Sequence, residues 1–217
     1  MEEFFIFDTE TASLKGGVCE LAYLKVNEKL EIIDEFCSFV NPERAIEDGA
    51  RNIHGILDEQ VVNAPTLAKL QETLPLMMGE VNVVGHNLVF DLRMTKGYVT
   101  PKVRLCTLRL ARQYLNQTSN KLDELQRALG LPERKSHTAL GDVHTCRDLL
   151  SYILQAASTD MPALVLRAQE PTMVNKMPFG KHRGQAVVSL PKSYRDWLVQ
   201  QDIDKDLRFT LEKLSSV

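Results

Sequence analysis

Long apolar runs are missing from this 217-residue chain. No stretch approaches the roughly 20 apolar residues that span a bilayer, so no membrane protein is expected. The apolar run nearest the start, Phe4 to Phe7, follows two glutamates and is too short for a secretory leader; a cytoplasmic protein is expected. The four cysteines, Cys19, Cys37, Cys106 and Cys146, form no C-x-x-C pair. That spacing disfavours a zinc site and a disulfide framework, and leaves buried thiols of a reducing compartment. There is a single tryptophan, and no internal repeat or low-complexity tract. Net charge is only -3, which argues weakly against nucleic acid as a partner.

What charge there is lies unevenly. Residues 1–159 carry 17 Lys+Arg against 22 Asp+Glu, and residues 160–217 carry 9 against 7. Between Lys102 and Lys135, eight basic residues stand against three acids. Such a patch suits either phosphates or an ordinary solvated helix face.

With 44% apolar and 25% charged residues the composition is that of a globular protein with a full core. The runs "FFIFDTE", "VCELAYLKV" and "LEIIDEFCSFV" read as a three-strand meander. A helical pattern extends from Thr66 to Gly79, then the strand "VNVVGHN", a helix beginning near Leu88, and the short strand "VRLCT". Helices are predicted at about 107–115, 121–130 and 138–157. An antiparallel start followed by βα alternation implies an α/β fold: a mixed sheet flanked by helices. Residues 158–175 lack a sustained period and read as a linker between a main domain, 1–157, and a small C-terminal module, 176–217.

Three stretches carry chemistry. In "FDTET", Asp8 and Glu10 lie two apart on a predicted strand, so both carboxylates leave one face. Two acids on an exposed sheet face would look the same; the apolar "FFIF" before them favours a central strand, where charge needs a reason. In "GHNLVFD", Asn87 is expected to cap a helix with Asp91 one turn inside. In "HTALGD", Asp142 begins a helix that Ser136 is expected to cap, and His137 sits in the loop entering it. Gathered together, each close pair of ionised carboxylates would repel by about 4 kcal/mol at 4 Å and an effective dielectric near 20. A cation is therefore implied, and all-oxygen ligation selects Mg2+ or Mn2+ rather than zinc, in a two-ion arrangement. An imidazole beside it exchanges its proton near neutral pH and suits a general base.

The ordered set "DTE", "NLVFD" and "HTALGD", over roughly residues 4–155, resembles the DnaQ-like 3′-to-5′ exonucleases with four metal-binding acids and a histidine base. The resemblance implies a ribonuclease H-like fold and hydrolysis of the terminal phosphodiester at a DNA 3′ end, releasing nucleoside 5′-monophosphates. It implies Asp8, Glu10, Asp91 and Asp142 as ligands of two Mg2+, with Mn2+ as substitute, and His137 as base. Thr9, Thr11 and Asn87 are expected beside the substrate, and His54 of "NIHGI" is expected either to be structural or to lie near the substrate. Leu14 and Lys15 of "SLKGG" would face a duplex, Leu14 as a wedge against the terminal base pair and Lys15 on phosphate. "FGKHRG" and Trp197 resemble the C-terminal region of the bacterial exonuclease X group. There, Lys181 and Arg183 would meet phosphate, or the segment is only a packing module anchored by Trp197. Two other functions stay open: RNA trimming, because the motifs do not read a 2′-OH, and a non-catalytic nucleic-acid-binding module.

Overall fold

The computed structural model describes residues 2–201 and 203–215. These divide into two compact units, 1–165 and 166–217. In the first, β1 (Glu3–Ser13), β2 (Gly16–Asn27) and β3 (Ile32–Phe39) form the expected meander. Short helices α1 (Asp48–His54), α2 (Asp58–Val61) and α3 (Leu67–Gln71) lead to β4 (Glu80–Gly85). Then come α4 (Val89–Met94), β5 (Thr100–Cys106), α5 (Thr107–Tyr114), α6 (Leu122–Ala128) and the long α7 (Ala139–Ala156). Sheet order is β3-β2-β1-β4-β5, with β1 antiparallel to β2 but parallel to β4. The meander and the βα half thus share β1 as their common central strand.

Alternation along β1 decides which side chains share a face. Phe5 and Phe7 enter a core with Leu70, Leu76, Leu88 and Met94. Phe4 and Ile6 project the other way and are equally buried. Asp8 and Glu10 continue that second face, and α7 packs on β1 and β2. Carboxylates therefore take over where the apolar residues stop.

Several local expectations are corrected. The helix expected over 66–79 ends at Gln71, and a 3-10 turn comes after it at Pro75–Met77. Proline lacks the N–H a helix needs and disfavours helix in the residue before it. Asn87 does not cap α4; it is exposed in a left-handed conformation, φ 68°, ahead of Leu88. Thr138, not Ser136, caps α7, its hydroxyl accepting from Gly141 N at 3.3 Å. Cys37 is exposed on the edge strand, not buried. In the basic patch, Lys121, Arg127 and Arg134 pair with Glu124, Asp123 and Asp148 at 3.1, 3.0 and 2.7 Å. That part of it is an ion-paired surface rather than a free phosphate site. Among the described residues no single helix is long and apolar enough to cross a membrane.

The division at 165/166 falls inside α8 (Met161–Gln169), so the segment read as a linker is partly helical. The second unit continues with α9 (Lys192–Val199) and α10 (Lys205–Ser215). Met177, Val187, Leu190, Leu198, Leu207 and Leu211 give it a buried core of its own. Trp197 is not its anchor, being 50% exposed beside a fully packed Leu198.

Candidate active site

Folding gathers the motifs at the end of β1. Asp8 and Glu10 lie on that strand just before and at a β-bulge, where the register with β2 shifts between Glu10 and Thr11. Bulges commonly re-aim side chains beside functional sites. Asp91 reaches β1 from α4 and is only 3% exposed. Its Oδ1 accepts from both the backbone N and the hydroxyl of Thr9, at 3.1 and 2.8 Å. Thr9, expected beside the substrate, is thus buried and committed to holding Asp91.

Asp142 lies in the first turn of α7, and its Oδ2 accepts from the backbone N of His137 at 3.1 Å. His137 itself is exposed in the bend before the helix, at φ 59°. One ligating atom each from Glu10, His137 and Asp142 lie within 4.8 Å of one another. The tight corner also explains Gly141: a Cβ there would clash with the Lys135 carbonyl oxygen.

A fifth acid lies outside the sequence motifs. Glu20 on β2 sits directly opposite Glu10, and its Oε2 accepts from Ala139 N, the first residue of α7, at 2.7 Å. Like charges paired across strands are unfavourable unless something offsets them. The helix start contributes a donor and a favourable dipole for one of the two. The signal was available, since Glu20 interrupts the apolar run "VCELAYL" as Asp8 interrupts "FFIFD".

His54 is 7% exposed, with Nε2 3.3 Å from the Thr11 carbonyl and Nδ1 accepting from Ile56 N at 3.0 Å. Its ring braces β1 rather than facing solvent, and burial lowers its pKa. Thr11 is buried too, whereas Asn87, Leu14 and Lys15 are exposed. Leu14 is 78% exposed at the β1–β2 turn. His86 ties the end of β4 to its surroundings through Thr107 Oγ1 and the Asn120 carbonyl, at 3.0 and 2.9 Å, and burial holds it neutral with a pKa of about 4.

The carboxylates disturb one another. Burial, then Asp91, Asp142, Glu10 and Glu20, push Asp8 far above the ordinary range. Burial and Asp142 raise Glu10 to about 8. Asp91 rises to about 7 through burial, against the opposing hydrogen bonds from Thr9, and burial raises Asp142 to about 6. Four acids that resist ionisation at one place, all oxygen donors with an imidazole at the rim, fit a hard divalent cation, which would offset the repulsion.

Known proteins share this architecture. The family model described as Exonuclease matches residues 5–150. The chain belongs to the exonuclease family. Exodeoxyribonuclease 10 of Escherichia coli is 29% identical over 95% of this chain and 96% of its own. The PolC-type DNA polymerase III of Oceanobacillus iheyensis is 29% identical over 85% of this chain but only 13% of its own. Among solved structures, exonuclease X in complex with 5′ overhanging duplex DNA superposes with a TM-score of 0.64 at 28% identity, covering 75% of this chain and 97% of that one. An Escherichia coli ExoI–ssDNA complex at 16% identity and the same TM-score of 0.64 shares the fold. The exonuclease thus has the ribonuclease H-like mixed sheet, and like its family it is a nuclease dependent on divalent metal. A second family model, named for a quorum-sensing-regulated virulence factor, matches residues 170–206.

The acids make stability depend on pH and on metal. Because Glu10, Asp91 and Asp142 have folded pKa values of about 8, 7 and 6, all above the unfolded carboxylate range near 4, their contribution to stability is complete only below that range. It is lost as pH rises through about 6 to 8. Melting temperatures in chelator should fall from pH 5 to pH 8, and added Mg2+ or Mn2+ should raise them more at pH 8; equal metal shifts at both values would contradict this. Glu20→Ala, which frees the start of α7, should slow nucleotide release by about 10-fold or more, with Glu20→Gln restoring most of the rate. Parental rates for Glu20→Ala would show Glu20 to be dispensable.

Proposed function

We propose that this exonuclease hydrolyses DNA from the 3′ end with the help of two Mg2+ ions, releasing nucleoside 5′-monophosphates, in DNA repair or processing in the cytoplasm. The observation behind this reading is the convergence of Asp8, Glu10, Asp91 and Asp142 with the His137 ring within 4.8 Å of Glu10 and Asp142. DNA is favoured over RNA because the relative matched over nearly its whole length is named an exodeoxyribonuclease, and the solved exonuclease X structure holds duplex DNA.

Asp8, Glu10, Asp91 and Asp142 would hold the ions, and Mn2+ would serve where Mg2+ is absent. When bound, the ions supply Lewis acidity, drawing charge off the phosphoryl oxygens and the leaving 3′ oxygen. The residues do the rest. Thr9 fixes the Asp91 carboxylate through two hydrogen bonds, so it need not reorganise during turnover. The α7 corner keeps the His137 backbone on Asp142 and leaves the imidazole exposed to solvent. A ring nitrogen of His137 takes the proton of the attacking water and passes it to solvent, a role typically worth about a hundred- to ten-thousand-fold. Leu14, at the exposed hairpin tip, presses against the terminal base pair of a duplex, while Lys15 and Asn87 contact the strand.

The test is a time course on a 5′-labelled oligonucleotide. With Mg2+ the products should shorten stepwise from the 3′ end, chelator should stop the reaction, and labelled RNA should compete poorly. Asp8→Asn should remove nucleotide release without unfolding the chain, and parental activity in that variant would contradict the mechanism. In the same assay Leu14→Ala should lose more rate on blunt duplex than on single strand. An unchanged ratio would discard the wedge.

A further inference from the structure

The second unit has a surface that its packing does not explain. Its backbone holds out a tight loop: Met177 N donates to the Gln185 carbonyl and Gly184 N to the Met177 carbonyl, both at 2.8 Å, and Arg183 N donates to the Gly180 carbonyl at 3.1 Å. Gly180 and Gly184 take φ of 71° and 84°, in the region that favours glycine. Against this loop α9 lays Tyr194, whose ring lies 4.5 Å from that of His182 and 5.5 Å from that of Trp197, the latter pair stacked at 28°. The Lys181 ammonium sits 5.1 Å from the centre of the same Tyr194 ring. The result is a connected strip from Lys181 and His182 through Tyr194 to the indole, with Arg183 on the same loop.

Four observations point to what the strip meets. Trp197, the only tryptophan in the chain, leaves half its surface to water, 50%, while its neighbour Leu198 does the packing at 1%. From Phe179 to Trp197 there are four Lys+Arg and one acid, Asp196. Among the described residues neither Lys181 nor Arg183 has a carboxylate within ion-pairing distance, in a protein whose other exposed cations are often paired. The unit as a whole, 166–217, has 9 Lys+Arg against 6 Asp+Glu, while residues 1–165 have 17 against 23. Unpaired cations near a half-exposed indole already stacked on a tyrosine are the chemistry that holds unstacked bases and their phosphates, with each base–aromatic contact worth about 1–3 kcal/mol.

We propose that Lys181, Arg183, Tyr194 and Trp197 of the 166–217 unit form a binding surface for single-stranded DNA. A base stacks on the open face of Trp197, extending the His182–Tyr194–Trp197 row, and the two loop cations take the flanking phosphates. Duplex DNA, whose bases are already stacked, lacks that face and binds weakly there.

The sole tryptophan makes the surface its own reporter. In the full-length chain, in chelator so that nothing is hydrolysed, titration with an oligo-dT strand should quench Trp197 emission saturably, and salt should reverse it. The Lys181→Ala/Arg183→Ala pair should bind the oligonucleotide about tenfold more weakly, as should Trp197→Ala followed by anisotropy of a labelled oligonucleotide, while Trp197→Phe keeps most of the affinity. With Mg2+, hydrolysis of the p-nitrophenyl ester of thymidine 5′-monophosphate, too small to lay a strand along the strip, should be unchanged in these variants. Emission indifferent to saturating oligonucleotide, or Trp197→Ala binding as tightly as the parent with circular dichroism intact, would overturn the proposal. A parent that quenches yet never shortens DNA would refute the proposed hydrolysis and leave this surface standing.

Discussion

Mutual repulsion of buried carboxylates is the constraint around which the 1–165 unit is arranged. Asp8 has Asp91, Asp142, Glu10 and Glu20 all raising its pKa, on top of its own burial. A fold does not assemble five acids at one strand end by packing preference, because each removal from water costs free energy and each neighbour adds to it. Specific contacts fix them in place. Thr9 donates twice to Asp91, the His137 backbone donates to Asp142, and the first N–H of α7 donates to Glu20. At neutral pH such an arrangement needs either protons or bound cations to offset its charge.

The sheet order makes the gathering possible. β1 is bonded antiparallel to β2 and parallel to β4, so it receives Glu20 from one neighbour and the α4 acid from the segment after the other. Crossing from β5 through α5 and α6, the chain then lays α7 over β1 and β2 with its first turn at Glu10 and Glu20. In α/β sheets ligands collect outside the carboxyl ends of strands where connections diverge, and that is where these residues stand.

Much of this was legible because β1 alternates so clearly: "FFIF" before "DTE" marks a central strand whose inner face turns polar at one end. The spacing in "HTALGD" correctly put His137 outside the helix and Asp142 inside it. What sequence periodicity could not show were interactions between distant segments. Glu20 looked like one charge in a strand until β2 set it opposite Glu10 and α7 supplied its donor. Thr9 looked available for substrate, yet it holds Asp91, while His54 takes the structural one of its two readings and braces the strand that bears the acids. Asn87 and Ser136 have the chemistry of helix caps, but a left-handed turn and Thr138 respectively took those places. Trp197 shows the opposite pattern: a large aromatic expected inside stands in water, with the core beneath made by leucines, methionine and valine.

In the proposed mechanism divalent cations, rather than protons, would complete the carboxylate cluster at neutral pH. Calorimetric titration of the parent chain with Mn2+, repeated in buffers of different ionisation enthalpy, counts the protons exchanged as the ions bind. Saturable binding should expel roughly one proton or more per chain and should weaken in Asp142→Asn. Binding without proton release, or no binding at all, would show that protons and not cations balance the acids.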